Sequence, residues 1–169
     1  MLGFSGGDAL TTWSGNDFLA GAQGGDVLYA NGGNDVCLGG DAADNINAGS
    51  GQNSLYGGDG TDNLTGGSNA DLVYAGKDGD NVYTNGGSDT VIPGPGADLV
   101  YLGTGNDVLI VYDVCEYQTG ESLAGDGGTD TLITPIPLPE IQALGVSVSG
   151  FETILVDDSM QHLSECFGS

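Results

Sequence analysis

Gly57-Gly-Asp-Gly-Thr-Asp-Asn-Leu-Thr65 runs without a gap into Gly66-Gly-Ser-Asn-Ala-Asp-Leu-Val-Tyr74, and the reading of these two nonapeptides decides the fold. Each sets glycines ahead of an aspartate and an apolar side chain two residues behind it. Working outward, the acidic position returns at every ninth residue: Asp8, Asp17, Asp26, Asp35, Asp44, Asn53, Asp62, Asp71, Asp80, Asp89, Asp98 and Asp107, with Asn53 the one lapse. The residue two further on is Leu10, Leu19, Leu28, Cys37, Ile46, Leu55, Leu64, Val73, Val82, Val91, Val100 or Leu109. A period this regular predicts a chain that coils and stacks on itself.

These units resemble the G-G-x-G-x-D-x-U-x nonapeptide of the RTX (repeats-in-toxin) family, a calcium-binding repeat. The resemblance runs from Gly3 to Ile110 in one register, and a further unit, Gly125 to Ile133, follows an interruption. It implies an all-β fold, a parallel β-roll or β-solenoid of tandem repeats closed by a C-terminal capping segment. The corresponding division is residues 1–110 for the roll, 111–124 for an insertion loop, and 125–169 for the last repeat and cap.

The spacing has a physical reading of its own. Each unit suits a glycine-rich turn, where positive φ carries no Cβ penalty, followed by a short strand whose alternate side chains face in and out. Two units complete one flattened coil, so the aspartates divide into two stacks. One holds Asp8, Asp26, Asp44, Asp62, Asp80 and Asp98; the other holds Asp17, Asp35, Asn53, Asp71, Asp89 and Asp107. Stacked strands lie about 4.8 Å apart. Two carboxylates at that distance repel by about 3.5 kcal/mol at an effective dielectric near 20. A cation between rungs removes the conflict, and an all-oxygen turn suits calcium better than magnesium, which demands a tighter octahedron. The alternative, side chains that only cap their own turns, leaves the repulsion unopposed. One mid-sized core side chain per unit is also a small return for ordering a glycine-rich chain. Folding is therefore expected to be coupled to calcium.

The RTX resemblance implies the ligands. One repeat contributes its second and fourth carbonyls and its aspartate; the repeat one coil later contributes its first and third carbonyls and its own aspartate. Carried here, one site uses Gly40, Ala42 and Asp44 with Gly57, Asp59 and Asp62, and the next uses Gly58, Gly60 and Asp62 with Ala75, Lys77 and Asp80. Asn53 departs from the pattern, so the sites it shares with Asp35 and Asp71 are expected to be weaker or empty. Trp13, Asn31 and Asn85 replace second glycines and Pro93 a first, which carbonyl coordination tolerates.

The formal charge of −23, with Lys77 the one residue of the Lys and Arg class, excludes nucleic acid as a partner. On the order of ten calcium ions would nearly neutralise it. No apolar run is long enough to span a membrane; Met1 leads straight into a repeat, so no signal peptide is expected, the alternative being an excised fragment whose signal is missing. The family resemblance implies type I export and folding outside the cell. Cys37 sits at an inward position and reads as an apolar filler. Cys115 and Cys166 could pair, stay free, or bond between molecules.

Beyond Val111 the period lapses. Pro135 to Pro139 reads as extended, Glu140 to Leu144 as a helical turn, and Val146 to Val156 as strands; Gly150 to Val156 resembles the terminal segment that follows RTX repeats. Outward positions stack Ala20, Leu38, Tyr56, Tyr74, Ile92 and Ile110 on one side, and Thr11, Tyr29, Asn47, Thr65, Tyr83 and Tyr101 on the other; Asn45, Asn63 and Asn81 form a further row. No catalytic constellation is visible: His162 stands alone and the carboxylates are committed to the repeat. Four functions fit. They are a secreted structural protein assembling with itself into a filament, matrix or surface layer, an accessory module of a larger RTX enzyme, a carbohydrate-binding adhesin, and an ice-binding solenoid. The regular Thr and Asn rows needed for the last are missing.

Overall fold

The computed structural model describes residues 1–157 and 159. His162 and Cys166, and with Cys166 the question whether it pairs with Cys115, lie outside the described residues. The chain winds into a parallel β-solenoid. One face stacks the strands Ala9–Thr11, Val27–Tyr29, Asn45–Gly49, Asn63–Gly67, Asn81–Gly87, Leu99–Tyr101, Ser122–Ala124 and Ser147–Ser149 in that order. The other stacks Phe18–Gln23, Val36–Asp41, Ser54–Asp59, Leu72–Lys77, Thr90–Ile92, Val108–Ile110, Thr131–Thr134 and Thr153–Val156.

Register follows the two-unit coil. Cys37 pairs with Leu55, Leu55 with Val73 and Val73 with Val91 on one face; Leu28 pairs with Ile46, Ile46 with Leu64 and Leu64 with Val82 on the other. Because side chains alternate across a strand, this register sends all these residues inward, and they are fully or almost fully buried. The core is thus a double column of single apolar side chains. Cys37 is one of them, a free thiol whose pKa burial pushes up to about 12, with Asp35 and Asp17 adding to the shift.

Strands extend further than a short segment per repeat. Ser54–Asp59 continues through Gly57 and Gly58, and Leu72–Lys77 through Ala75 and Gly76, because Gly58 aligns with Gly76 and the backbone ladder does not stop where side chains do. Gly58 and Gly60 have φ of 123° and 124°, in the left-handed region. At Gly58 a Cβ would lie 2.0 Å from the Gly40 carbonyl oxygen, so the tight corner has no room for one.

The interruption shifts the phase without ending the coil. Within 111–124, a 3-10 turn at Val114–Glu116 packs Val114 into the core, and Ser122–Ala124 then rejoins the sheet beside Leu99–Tyr101. Segment 125–169 was expected to hold one repeat and a cap. As far as it is described, it continues both faces. Thr131–Thr134 stacks on Val108–Ile110, and Thr153–Val156 stacks on Thr131–Thr134. Between them a short helix, Leu138–Ala143, buries Ile141 against the core. Trp13 stands in solvent at 84% exposure, well outside the turn.

Candidate metal centre

Each acidic position is set by the strand that follows it. The carbonyl of Asp62 accepts from the backbone N–H of Asn81 at 2.8 Å, locking the aspartate to the first strand residue of the next coil. Its side chain is locked to the previous coil, since Asp62 Oδ1 accepts from the N–H of Asp44 at 2.7 Å. The pattern repeats along both columns. The N–H of Asp26 donates to Asp44, Asp62 to Asp80, Asp80 to Asp98, Asp71 to Asp89 and Asp89 to Asp107, at 2.7–2.8 Å. Asp8 and Asp17 donate in the same way to Asp26 and Asp35 at the first coil.

That bond uses one carboxylate oxygen and leaves the other. Oδ2 of Asp26, Asp35, Asp44, Asp62, Asp71, Asp80, Asp89, Asp98 and Asp107 is buried and has no hydrogen-bond partner. Orphaned buried polar atoms are rare and need a cause. A methyl group built on Gly39 would sit 2.3 Å from Asp44 Oδ2 and 2.5 Å from the Gly57 carbonyl oxygen. Built on Gly57, it would meet the Ala75 carbonyl at 2.2 Å and Asp62 Oδ2 at 2.4 Å. So the glycine leaves a hollow edged by an aspartate and by the first carbonyl of the next coil. When the carboxyl is ionised, it and the carbonyl are both acceptors with no proton to share. A hard, oxygen-seeking cation fits that donor set.

The structure brings together Asp44 with Gly57, and Asp62 with Ala75, as the ligand sets require. The carbonyls of Gly40 and Ala42 turn toward the glycines one coil later, lying 2.0 and 2.6 Å from Cβ positions built on Gly58 and Gly60; that of Gly58 lies 2.0 Å from the one on Gly76. Asp59 and Lys77 turn their side chains to solvent, where they form an ion pair at 2.8 Å. The Lys77 carbonyl accepts a long bond of 3.3 Å from Gly60. Among the described residues, no three His, Cys, Asp or Glu side chains cluster as a metal site. Carboxylates come in successive pairs, and carbonyls must complete any shell.

Asn53 shows how a neutral rung satisfies its own side chain. Its Oδ1 takes the usual N–H, from Asp35 at 3.0 Å, and its Nδ2 donates to the Gly51 carbonyl at 3.0 Å. Thr84 acts similarly at a first-glycine position. Its hydroxyl donates to the Leu102 carbonyl at 2.7 Å.

Desolvation sets the electrostatics. Burial pushes Asp44, Asp62, Asp71, Asp98 and Asp107 up to about 6 and Asp80 up to about 8, against the lowering effect of the backbone N–H each accepts. Neighbouring rungs add repulsion, Asp98 and Asp62 on Asp80 for example. A bound divalent ion would reverse this, favouring the ionised form.

Two members of the columns escaped the sequence reading. Glu121 takes the rung after Asp98: the N–H of Ser122 donates to the Asp98 carbonyl at 2.7 Å, and the N–H of Ser147 donates to the Glu121 carbonyl at 2.9 Å. Glu121 is 2% exposed, and burial pushes it up to about 8, with Asp98 and Glu116 adding repulsion. Glu152 takes the rung after Asp130, accepting from its N–H at 2.7 Å. Asp130 itself accepts from Asp107 at 2.9 Å. The signal was an acid followed two residues on by an apolar side chain, Glu121-Ser-Leu123 and Glu152-Thr-Ile154, with glutamate in the aspartate's place.

No curated protein matches the chain. A family model does: the RTX calcium-binding nonapeptide repeat matches residues 14–41, 38–73 and 74–109, more than half of the sequence. With its glycine corners and its stacked, half-satisfied aspartates, the chain belongs to the RTX calcium-binding nonapeptide-repeat family.

Proposed function

We propose that the protein is a secreted structural protein whose β-roll folds on binding calcium and then assembles with its own copies into an extracellular filament, matrix or surface layer. The observation that carries the calcium part is the row of buried, unpartnered Oδ2 atoms, which at Asp26, Asp44 and Asp62 border, together with a carbonyl of the next coil, a space left by a glycine. The proposed ligands are the paired aspartates with the carbonyls of Gly40, Ala42, Gly57 and Asp59, and of Gly58, Gly60, Ala75 and Lys77, repeated along each column. On the order of ten ions per chain would fill the rungs. The ions would neutralise the stacked carboxylates and couple folding to the calcium level outside the cell.

Self-assembly is supported by apolar side chains standing out at the first coil: Leu2 at 65%, Phe4 at 81% and Trp13 at 84% exposure. The strand Ala9–Thr11 there has one paired edge only, a template for another strand. A heterologous contact between the two ends of such a rod does not close and would propagate. A structural role is preferred to catalysis because the buried carboxylates are all engaged in the rungs, and no pocket opens among the described residues. Among the described residues no helix is long and apolar enough to cross a membrane.

The alternative is an accessory module of a larger secreted enzyme, or an adhesin that binds polysaccharide. The adhesin reading is favoured by paired tyrosines on the surface, Tyr56 on Tyr74 at 5.1 Å and Tyr83 on Tyr101 at 5.5 Å, each ring pair nearly parallel. Electron microscopy of the chain in millimolar calcium and in chelator separates the readings. Fibres that dissolve on chelation are expected; single short rods in calcium would leave the module or adhesin.

A further inference from the structure

We propose that Glu121 and Asp98 form a further divalent-cation site, carried by the interruption rather than by the nonapeptide repeat. This rests on the calcium reading above. The repeat motif ends its first column at Asp98, because the next position in that column at two nonapeptides' spacing, Glu116, belongs to the 3-10 turn. The register shows otherwise. Leu99 pairs with Ser122, so the residue before Ser122 falls on the rung above Asp98. That residue is Glu121, and its carbonyl binds the following coil through Ser147 as every aspartate carbonyl in the column binds the coil after it.

The side chain is not explained by packing. Glu121 is 2% exposed and Asp98 fully buried. Glu121 Oε2 accepts from the N–H of Gln118 at 3.1 Å, while Oε1 has no partner. Asp98 Oδ1 accepts from Asp80 at 2.8 Å, while Oδ2 has no partner. Each therefore has one satisfied and one orphaned oxygen, on residues that the register sets on adjacent rungs. The rung differs from those of the repeat in one respect: Glu121 accepts from Gln118 in its own segment, where the repeat aspartates accept from the N–H of the rung before. Two orphaned carboxylate oxygens at neighbouring rungs ask for a hard divalent ion, calcium in a calcium-rich medium. The turn at Val114–Glu116 is then held to the coil from its C-terminal side, where Tyr117 hydroxyl also donates to Thr134 at 2.6 Å.

The test counts calcium ions on the full chain by native mass spectrometry at saturating calcium, comparing wild type with Glu121→Gln and Asp62→Asn. Glu121→Gln is expected to carry one ion fewer than wild type, and Asp62→Asn at least one fewer. Should Glu121→Gln not fold, Glu121→Leu fills the same volume without a polar atom and is expected to show the same loss. An unchanged count in the Glu121 variant that folds, with a reduced count in Asp62→Asn, overturns this inference alone. Unchanged counts in both variants overturn the calcium reading and this site with it.

Discussion

Asn53 and Gly51 close on each other through a 3.0 Å hydrogen bond from the side-chain amide to the carbonyl, and neither Asp35 nor Asp71, the rungs on either side, has such a bond from Oδ2. The neutral rung satisfies itself. The charged rungs cannot while they are ionised, because a carboxylate has no proton to offer the carbonyl beside it.

Replacing Asn53 by Asp should therefore convert a self-satisfied rung into an open one. In chelator the variant is expected to lose about 1–3 kcal/mol, the cost of leaving a buried acceptor unpaired. In calcium it is expected to bind at least one ion more than wild type and to unfold at a higher temperature. Calorimetric titration alongside thermal melts checks both. Equal ion numbers would mean that the second column takes no calcium at that point.

Acidity should act in opposite directions with and without the metal. Folding raises Asp44 and Asp62 to about 6 and Asp80 to about 8, through burial, from an ordinary value of 3.8. A folded state with raised carboxylate pKa values holds more protons than the unfolded chain. Without metal, that stability is fully present below the unfolded value and is lost as pH rises through 6 to 8. In chelator, β-structure measured by circular dichroism should thus increase from pH 8 to pH 5. In calcium, protons compete for the same oxygens, so the calcium midpoint of folding should rise over the same interval. Parallel trends in both media would contradict this competition.

Gly58→Ala should be among the most damaging single changes. Its φ of 123° is costly for any side chain, and the added Cβ would lie 2.0 Å from the Gly40 carbonyl. The conformation alone costs about 1–2 kcal/mol, and the clash adds to it by displacing a proposed ligand. A loss of more than about 2 kcal/mol in calcium is expected from denaturant melts. The control is Gly120→Ala, where φ is also positive but a Cβ meets nothing within 4 Å. Equal losses in the two would remove the role given to the tight corner.

Truncating the core tests how little of the stability is apolar. Leu64→Ala leaves a fully buried gap between Ile46 and Val82. It should cost about 2–5 kcal/mol, yet saturating calcium should still fold the chain. Failure to fold in calcium would place more weight on the apolar column than the present account does.

Much of this was legible because one period governs two things at once. Nine-residue spacing puts Leu55 inward and Asp62 at a corner, and the observed pairing of Leu55 with Val73 follows from doubling it. What escaped was whatever broke the count. Glu121 is displaced by the insertion and Glu152 by the segment around the helix Leu138–Ala143, so phase alone could not reach either. Only the strand pairing, Leu99 with Ser122 and Thr131 with Thr153, returns them to the columns. The hydrogen bonds of Asn53 and Thr84 also depend on side-chain geometry that spacing does not carry. The surface tyrosine stacks, by contrast, follow directly from residues one coil apart.

Crystals grown in calcium and measured for anomalous scattering address the metal itself. The account predicts anomalous peaks beside Asp44 Oδ2 and the Gly57 carbonyl, beside Asp62 Oδ2 and the Ala75 carbonyl, and none where Asn53 meets Gly51. Ordinary water density at all of these positions, in a chain folded as described, would contradict it.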